Sequence, residues 1–262
     1  MLLAPLNACG PLLNADSNLT GLHRGAIQSP LGSELSYVAS IHEAPRPTNR
    51  RIIYVHGTPG NASNFARYVR EPIPGTLAIA IDRLGFGKTG GPAVCSFEDQ
   101  ARAIEPLLLE GERVVLVGHS LGGPIVARAA ADFSDRIGAI VILAGSLDPQ
   151  LENPRWFNYA GASLHPLLPR VVRNSNMEIF DARKQTLLLA EVLERVTCPV
   201  VIVHGTRDTL VPYTNVAYMQ SAFTNAPTVE AYTLHGANHF IPWTHEPEIR
   251  SAIERALELS SN

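Results

Sequence analysis

The chain has 262 residues, 45% of them hydrophobic and 17% charged, and its 21 basic and 24 acidic side chains leave a formal net charge of −3. These proportions describe a globular chain with ample material for a core, and without a run of Lys or Arg to meet phosphates, nucleic acid is not an expected partner. The longest apolar stretches, such as residues 137–145, fall far short of a bilayer span, so no transmembrane segment is expected.

The chain opens on MLLAPLNACG, in which LNAC loosely matches the cleavage box of bacterial lipoproteins. No basic residue precedes it, and its apolar part is shorter than the core of a signal sequence. The expectation is therefore a cytoplasmic protein. The alternative is a lipid anchor on Cys9, which requires a start further upstream. Cys95 and Cys198 lie far from Cys9 and from each other, a spacing that fits neither a disulfide framework nor a zinc site. No metal or cofactor is expected.

Residues 25–41 alternate about a Pro-Leu-Gly turn, as a hairpin does. Buried strands are predicted at 50–57 and within 76–87. SFEDQARAIEPLLLEG (96–111) has a serine N-cap, an acidic first turn and a glycine stop, the marks of a helix. The strand RVVLVGHS then runs into the helix LGGPIVARAAADF. Two further buried strands follow at 137–145 and 198–205, a last strand at 228–236, and a closing helix at 246–260. Strands alternating with helices predict an α/β fold with a mainly parallel sheet. Residues 146–197 break that rhythm. They hold Pro154, Pro166 and Pro169, the aromatics Trp156, Phe157 and Tyr159, and one strong helix at 175–196. An insert of about 50 residues is too long for an ordinary connection. It predicts a small helical cap over the C-terminal edge of the sheet, where open α/β sheets bind ligands. The organisation read from the sequence is an N-terminal extension (1–24), a core in two parts (25–145 and 198–262) and the cap (146–197).

The chemistry centres on VVLVGHSLGG (114–123). A G-x-S-x-G run after an apolar strand and before a helix sets Ser120 on a tight turn above the sheet edge. Gly118 and Gly122, lacking Cβ atoms, let strand and helix approach closely. The Leu121 N–H lies at the start of the helix, where orphan donors and the positive dipole end favour an oxyanion. A serine needs a base. His119 is adjacent in sequence, but neighbouring residues of such a turn point apart. His56 and His204 close strands and serve turns. His239, in HGANHF between the last strand and the last helix, is the candidate base. Asp208, just past a buried strand, is the candidate carboxylate to orient it, and Asp148 in AGSLDP is its competitor. VHGTPGNASNF (55–65) supplies a second oxyanion donor, the Thr58 N–H. DRLGFGKT (82–89) lacks the spacing of a phosphate loop and reads as a structural turn at the pocket wall.

Five blocks in order, HGTPG, DRLGFGKT, GHSLGG, GTRDTLVP and GANHF, resemble the α/β-hydrolase superfamily over roughly residues 25–260. The resemblance implies an eight-stranded, mostly parallel sheet flanked by helices, with a cap after the sixth strand. It implies Ser120, Asp208 and His239 as a catalytic triad, with Thr58 and Leu121 as oxyanion-hole residues. The expected activity is serine hydrolysis of carboxylic esters, or of related lactones or thioesters. Trp156 and Phe157 of the cap, with Phe240 and Trp243 near the base, are the candidate walls of an apolar substrate pocket, and the expected partner is a small hydrophobic ester. A carbon–carbon bond hydrolase, a perhydrolase and a triad-retaining small-ligand receptor remain alternatives from the same fold.

Overall fold

The computed structural model describes residues 19–40, 50–109, 111–164 and 167–261. The Phe157 side chain and Cys9 lie outside the described residues. Eight strands form one sheet: β1 (His23–Gln28), β2 (Glu34–Ala39), β3 (Arg50–Val55), β4 (Leu77–Ile81), β5 (Arg113–His119), β6 (Ile137–Leu143), β7 (Val200–Gly205) and β8 (Val229–Leu234). Their order is β1-β2-β4-β3-β5-β6-β7-β8. The hairpin β1–β2 and the β2–β4 pair are antiparallel, and every later pair is parallel. This is the α/β-hydrolase sheet that the resemblance implies.

The central strands are apolar on both faces because both faces are covered. Along β5, Val114 and Leu116 face one core, and Val115 and Val117 face the other. On the first face packs α3 (Gly122–Asp132), whose Ile125, Val126 and Ala129 meet Leu116, Ile140 and Ile202 in one cluster. On the second pack α1 (Ala66–Arg70) and the closing α8 (Glu246–Leu259), through Tyr68, Val69, Ile249, Ile253 and Leu257. Truncating such a side chain, Leu116→Ala for example, costs about 2–5 kcal/mol in a core this closed.

The predicted helix at 96–111 stops as an α-helix at Ile104, giving α2 (Phe97–Ile104), and continues as one 3₁₀ turn over Glu105–Leu107. Pro106 is the reason, since it has no N–H to continue the α ladder. Helices α6 (Asn215–Ala222) and α7 (Ile241–Thr244) complete the core alongside α8 and carry little or no periodic signal in the sequence.

Between β6 and β7 lie α4 (Trp156–Ser163) and α5 (Arg170–Ala190). The latter begins five residues before the predicted start, directly after Pro169. A proline ahead of the first turn needs no N–H and fits there. The inner face of α5 carries polar residues. Asn174 donates to the Gly85 carbonyl at 2.7 Å, Gln185 accepts from the Phe97 N–H at 3.3 Å, and Asn176 and Asn158 pair α5 with α4 at 2.9 Å. The helix is thereby fixed over the loop that follows β4. A cleft of about 440 Å³ remains between residues 91–93 and Arg170, Arg173, Asn174 and Met177 of α5, and no predicted site residue lines it.

Candidate active site

The turn from β5 to α3 carries Ser120 at φ +55°, left-handed backbone that costs a non-glycine residue about 1–3 kcal/mol. Its backbone is held from both sides. The Ser120 N–H donates to the Leu143 carbonyl at 3.0 Å, and its own carbonyl accepts from Gly123 at 2.9 Å. The turn closes only without side chains at its flanks: a Cβ on Gly122 would lie 2.2 Å from the Val55 carbonyl oxygen, and one on Gly118 would lie 2.2 Å from that of Gly122. The sequence pattern and the strained serine are thus two faces of one packing requirement.

Asp208 and His239 meet in the same region. The loops after β7 and β8 are laced together: Thr206 N–H bonds the Leu234 carbonyl at 3.1 Å, Arg207 N–H bonds that of Ala237 at 2.9 Å, and Gly236 N–H bonds Thr206 Oγ1 at 2.9 Å. This lacing sets His239 Nδ1 2.7 Å from Asp208 Oδ2, with both residues buried. The other carboxylate oxygen, Oδ1, accepts the N–H groups of Leu210 and Val211 at 2.9 and 2.8 Å. Burial works to raise the Asp208 pKa, but hydrogen bonds from His204 and His239 and the Val211 N–H outweigh it and hold the carboxyl well below its usual range. An ionised carboxylate only accepts, so the His239 proton sits on Nδ1 and Nε2 is left as the basic nitrogen. Asp148, the competitor, spends its carboxylate on the Gln150 N–H at 2.9 Å, while its own N–H donates to Asn215. It has no histidine partner among the described residues.

His119 lies against His239, with ring centroids 4.8 Å apart. Its Nε2 is 3.0 Å from the His239 carbonyl, an acceptor, so that nitrogen carries the proton. Burial, followed by the neighbouring His239, pushes its pKa down to about 3. A neutral ring whose proton is already committed props His239 rather than serving as the base. Trp243 packs edge-on against His119 with centroids 5.4 Å apart, and Phe240 packs against His239 at 5.9 Å. Of the other candidate wall residues, Trp156 is 73% exposed on α4, and the side chain of Phe157 lies outside the described residues.

The 57–60 loop abuts the serine. A Cβ on Gly57 would sit 2.6 Å from Ser120 Cβ and 3.2 Å from its Oγ. Neither the Thr58 nor the Leu121 N–H has a hydrogen-bond partner among the described residues. No hydrogen bond joins Ser120 Oγ to His239, and catalytic contacts of this kind commonly tighten only when substrate binds. The structure therefore brings Asp208 and His239 into direct contact and the Gly57–Thr58 peptide against Ser120.

Sequence reasoning gave no role in the site to His204, Arg83 or Glu178. His204 lies 3.5 Å from Asp208 Oδ2 and 3.0 Å from the Val211 carbonyl. Arg83, 1% exposed, pairs with Glu178 of α5 at 2.7 Å, and Asp82 anchors its loop by accepting from Ala62, Lys88 and Arg24. Only its place as the second charged residue after a buried strand marks Arg83 in the sequence. Among the described residues no group of three or more His, Cys, Asp or Glu could hold a metal ion, and no helix is long and apolar enough to cross a membrane.

This sheet, with its serine turn and laced histidine–aspartate pair, is the framework of an α/β hydrolase. A family profile described as the alpha/beta hydrolase fold matches residues 50–176, and the eight-stranded sheet is of that fold. The chain is 30% identical over 149 residues to a 2-hydroxy-6-oxononadienedioate/2-hydroxy-6-oxononatrienedioate hydrolase of Paraburkholderia xenovorans, a match covering 52% of this chain and 51% of that protein. It spans about half the length of the curated relatives it matches. Among solved structures, a monoacylglycerol lipase of Paleococcus ferrophilus aligns with TM-score 0.65 at 20% identity over 90% of this chain and 98% of that one. The epoxide hydrolase CorEH aligns with TM-score 0.67 at 17% identity over 92% and 99%. At these identities the solved structures share the fold, and residues must argue the chemistry.

Proposed function

We propose that the chain is a serine hydrolase that cleaves carboxylic esters through an acyl-enzyme on Ser120. The observation that carries this reading is the buried 2.7 Å contact between His239 Nδ1 and Asp208 Oδ2, on loops that follow parallel strands of the same sheet as the Ser120 turn. His239 Nε2 takes the hydroxyl proton as Ser120 attacks the carbonyl carbon. Asp208 keeps the ring in the useful tautomer and stabilises the imidazolium. The N–H groups of Thr58 and Leu121 receive the oxyanion. The C–O bond breaks as His239 returns the proton to the leaving alcohol, and water activated by the same ring then releases the acid. Phe240 and Trp243, packed about the histidines, favour an apolar acyl or alcohol group.

A second reading, cleavage of a carbon–carbon bond next to a carbonyl, draws on the likeness to a relative named as a hydrolase of 2-hydroxy-6-oxo dienedioates. A fluorophosphonate probe followed by a panel of aryl esters and a vinylogous 1,5-diketone separates the two. The ester reading expects stoichiometric labelling, lost in Ser120→Ala, with kcat on the aryl ester reduced roughly 10⁴–10⁶-fold. Labelling and turnover that persist in Ser120→Ala would refute it. Turnover of the diketone alone moves the assignment to the second reading.

A further inference from the structure

The geometry points to Arg83 and Glu178 as positioning residues that set the Thr58 N–H as an oxyanion donor and couple it to α5. This inference rests on the hydrolase reading above. The peptide unit between residues 57 and 58 has two ends. Its N–H, on Thr58, is the donor assigned to the oxyanion. Its carbonyl, on Gly57, faces the protein and accepts two hydrogen bonds, from His56 Nδ1 at 2.7 Å and from the Arg83 guanidinium NH2 at 3.0 Å. A peptide whose carbonyl is bonded on two sides cannot rotate freely, and donation to that oxygen polarises the N–H at the other end. One of the two donors carries a full positive charge.

Arg83 governs both bonds. Its guanidinium makes one directly. Its backbone N–H donates to His56 Nε2 at 3.1 Å, which leaves the His56 proton on Nδ1, the nitrogen that meets Gly57. Glu178 in turn fixes the guanidinium through a bidentate pair at 2.7 and 3.0 Å, and the Phe86 ring lies 4.7 Å beneath its central carbon. Arg83 and Glu178 are 1% and 5% exposed, so solvent does little to screen the pair. Tying α5 to the core would require only the Arg83–Glu178 contact. The bond to the Gly57 carbonyl is additional, and it lies on a peptide packed against Ser120. A shift of α5 that moves Glu178 therefore moves the guanidinium, and with it the oxyanion donor.

Removing one partner strands a buried charge and can unfold the chain, so the decisive variant is the double R83M/E178M, since apolar replacement of a buried ion pair is often neutral for stability. The assays are steady-state turnover of an aryl ester, the fluorophosphonate labelling rate, and inhibition by a trifluoromethyl ketone and its methyl ketone analogue. Only the fluorinated ketone forms a tetrahedral oxyanion on the serine. The double variant is expected to keep its melting temperature within a few degrees and its KM within about threefold. It should lose about 10- to 100-fold in kcat, in labelling rate and in trifluoromethyl ketone affinity, with methyl ketone binding unchanged. E178Q should show a smaller loss of the same kind, and R83K should recover part of it. Equal weakening of both ketones would mean a merely structural role and overturns the inference. Wild-type rates and affinities in the double variant also overturn it, and leave the hydrolase reading standing. A wild-type protein that resists the fluorophosphonate removes the hydrolase reading itself.

Discussion

Two strands of this protein run out through the same four residues, Val-His-Gly-Thr, at 55–58 and at 203–206. Both histidines are buried at the C-terminal edge of the sheet, and each bonds a nearby carbonyl. Their roles diverge through what lies across from them. His56 stands between the Arg83 backbone and its own neighbour's carbonyl, and so shapes the peptide beside Ser120. His204 faces the Asp208 carboxylate and helps to keep it ionised. The first copy serves the place where charge would develop and the second serves the group that would orient the base. A short motif therefore fixes a turn, while residues far away in the chain fix what the turn does.

The largest effects test the second copy. Asp208→Asn should reduce kcat on an aryl ester by about 10⁴-fold, because an amide in that position favours the wrong His239 tautomer. Asp148→Asn should stay within about threefold, since that carboxylate only caps a local N–H and loss of one exposed capping contact perturbs little. Steady-state kinetics on the two variants decides the matter, and a larger loss at Asp148 would undo the pairing argument.

Next come the two glycines of the repeated motif. A methyl on Gly57 meets the Ser120 side chain at 2.6 Å, whereas one on Gly205 meets the Ala237 carbonyl oxygen at 2.4 Å. Gly57→Ala should therefore act on catalysis, lowering kcat by about 10²–10³-fold by displacing the serine or the oxyanion peptide. Gly205→Ala should act first on stability, by about 1–3 kcal/mol, because backbone has to move. Kinetics and thermal melting on both variants sharpen the contrast between the copies. Identical profiles would mean that the two turns do not have separate tasks.

The sequence carries the sheet openly, because strands buried on both faces are continuous apolar runs such as VVLV and IVIL bounded by glycine. Ser120, Asp208 and His239 are legible for a related reason: each follows a strand, and parallel strands bring their C-terminal ends together. Asp208 is favoured over Asp148 by its cleaner strand–turn context, though both follow strands, and its contact with His239, 31 residues away, is a distinction the sequence does not display. Arg83 and Glu178 leave still less trace. They are 95 residues apart, and neither period nor spacing links a strand-end arginine to the inner face of a helix in an insert. The start of that helix was misplaced because Val171 and Val172 weaken the helical signal that Pro169 in fact initiates.

The smallest effect concerns acid. His119 is held neutral with its pKa near 3, mainly by burial, and burial also holds His56 well below the usual range, with Arg83 adding to it. In the unfolded chain both histidines take up protons as the pH falls through about 6.5. Between that pH and 3 the unfolded state binds more protons than the folded one, so stability drops as pH drops, by at most about 1.4 kcal/mol per pH unit for each ring. Asp208 adds its own loss below about pH 5, where an unfolded aspartate begins to protonate. Thermal melting between pH 6.5 and 5.5 therefore weighs the histidines most, above the range where the lowered carboxylates Glu230, Glu246 and Asp208 take over. His119→Gln keeps a donor for the His239 carbonyl but does not titrate, and its melting temperature should fall less steeply over this range than that of the wild type. Parallel curves would mean that His119 is not buried neutral against His239. The prop would then be a second titrating ring beside the base, and the comparison between the two histidine turns would have to admit a third.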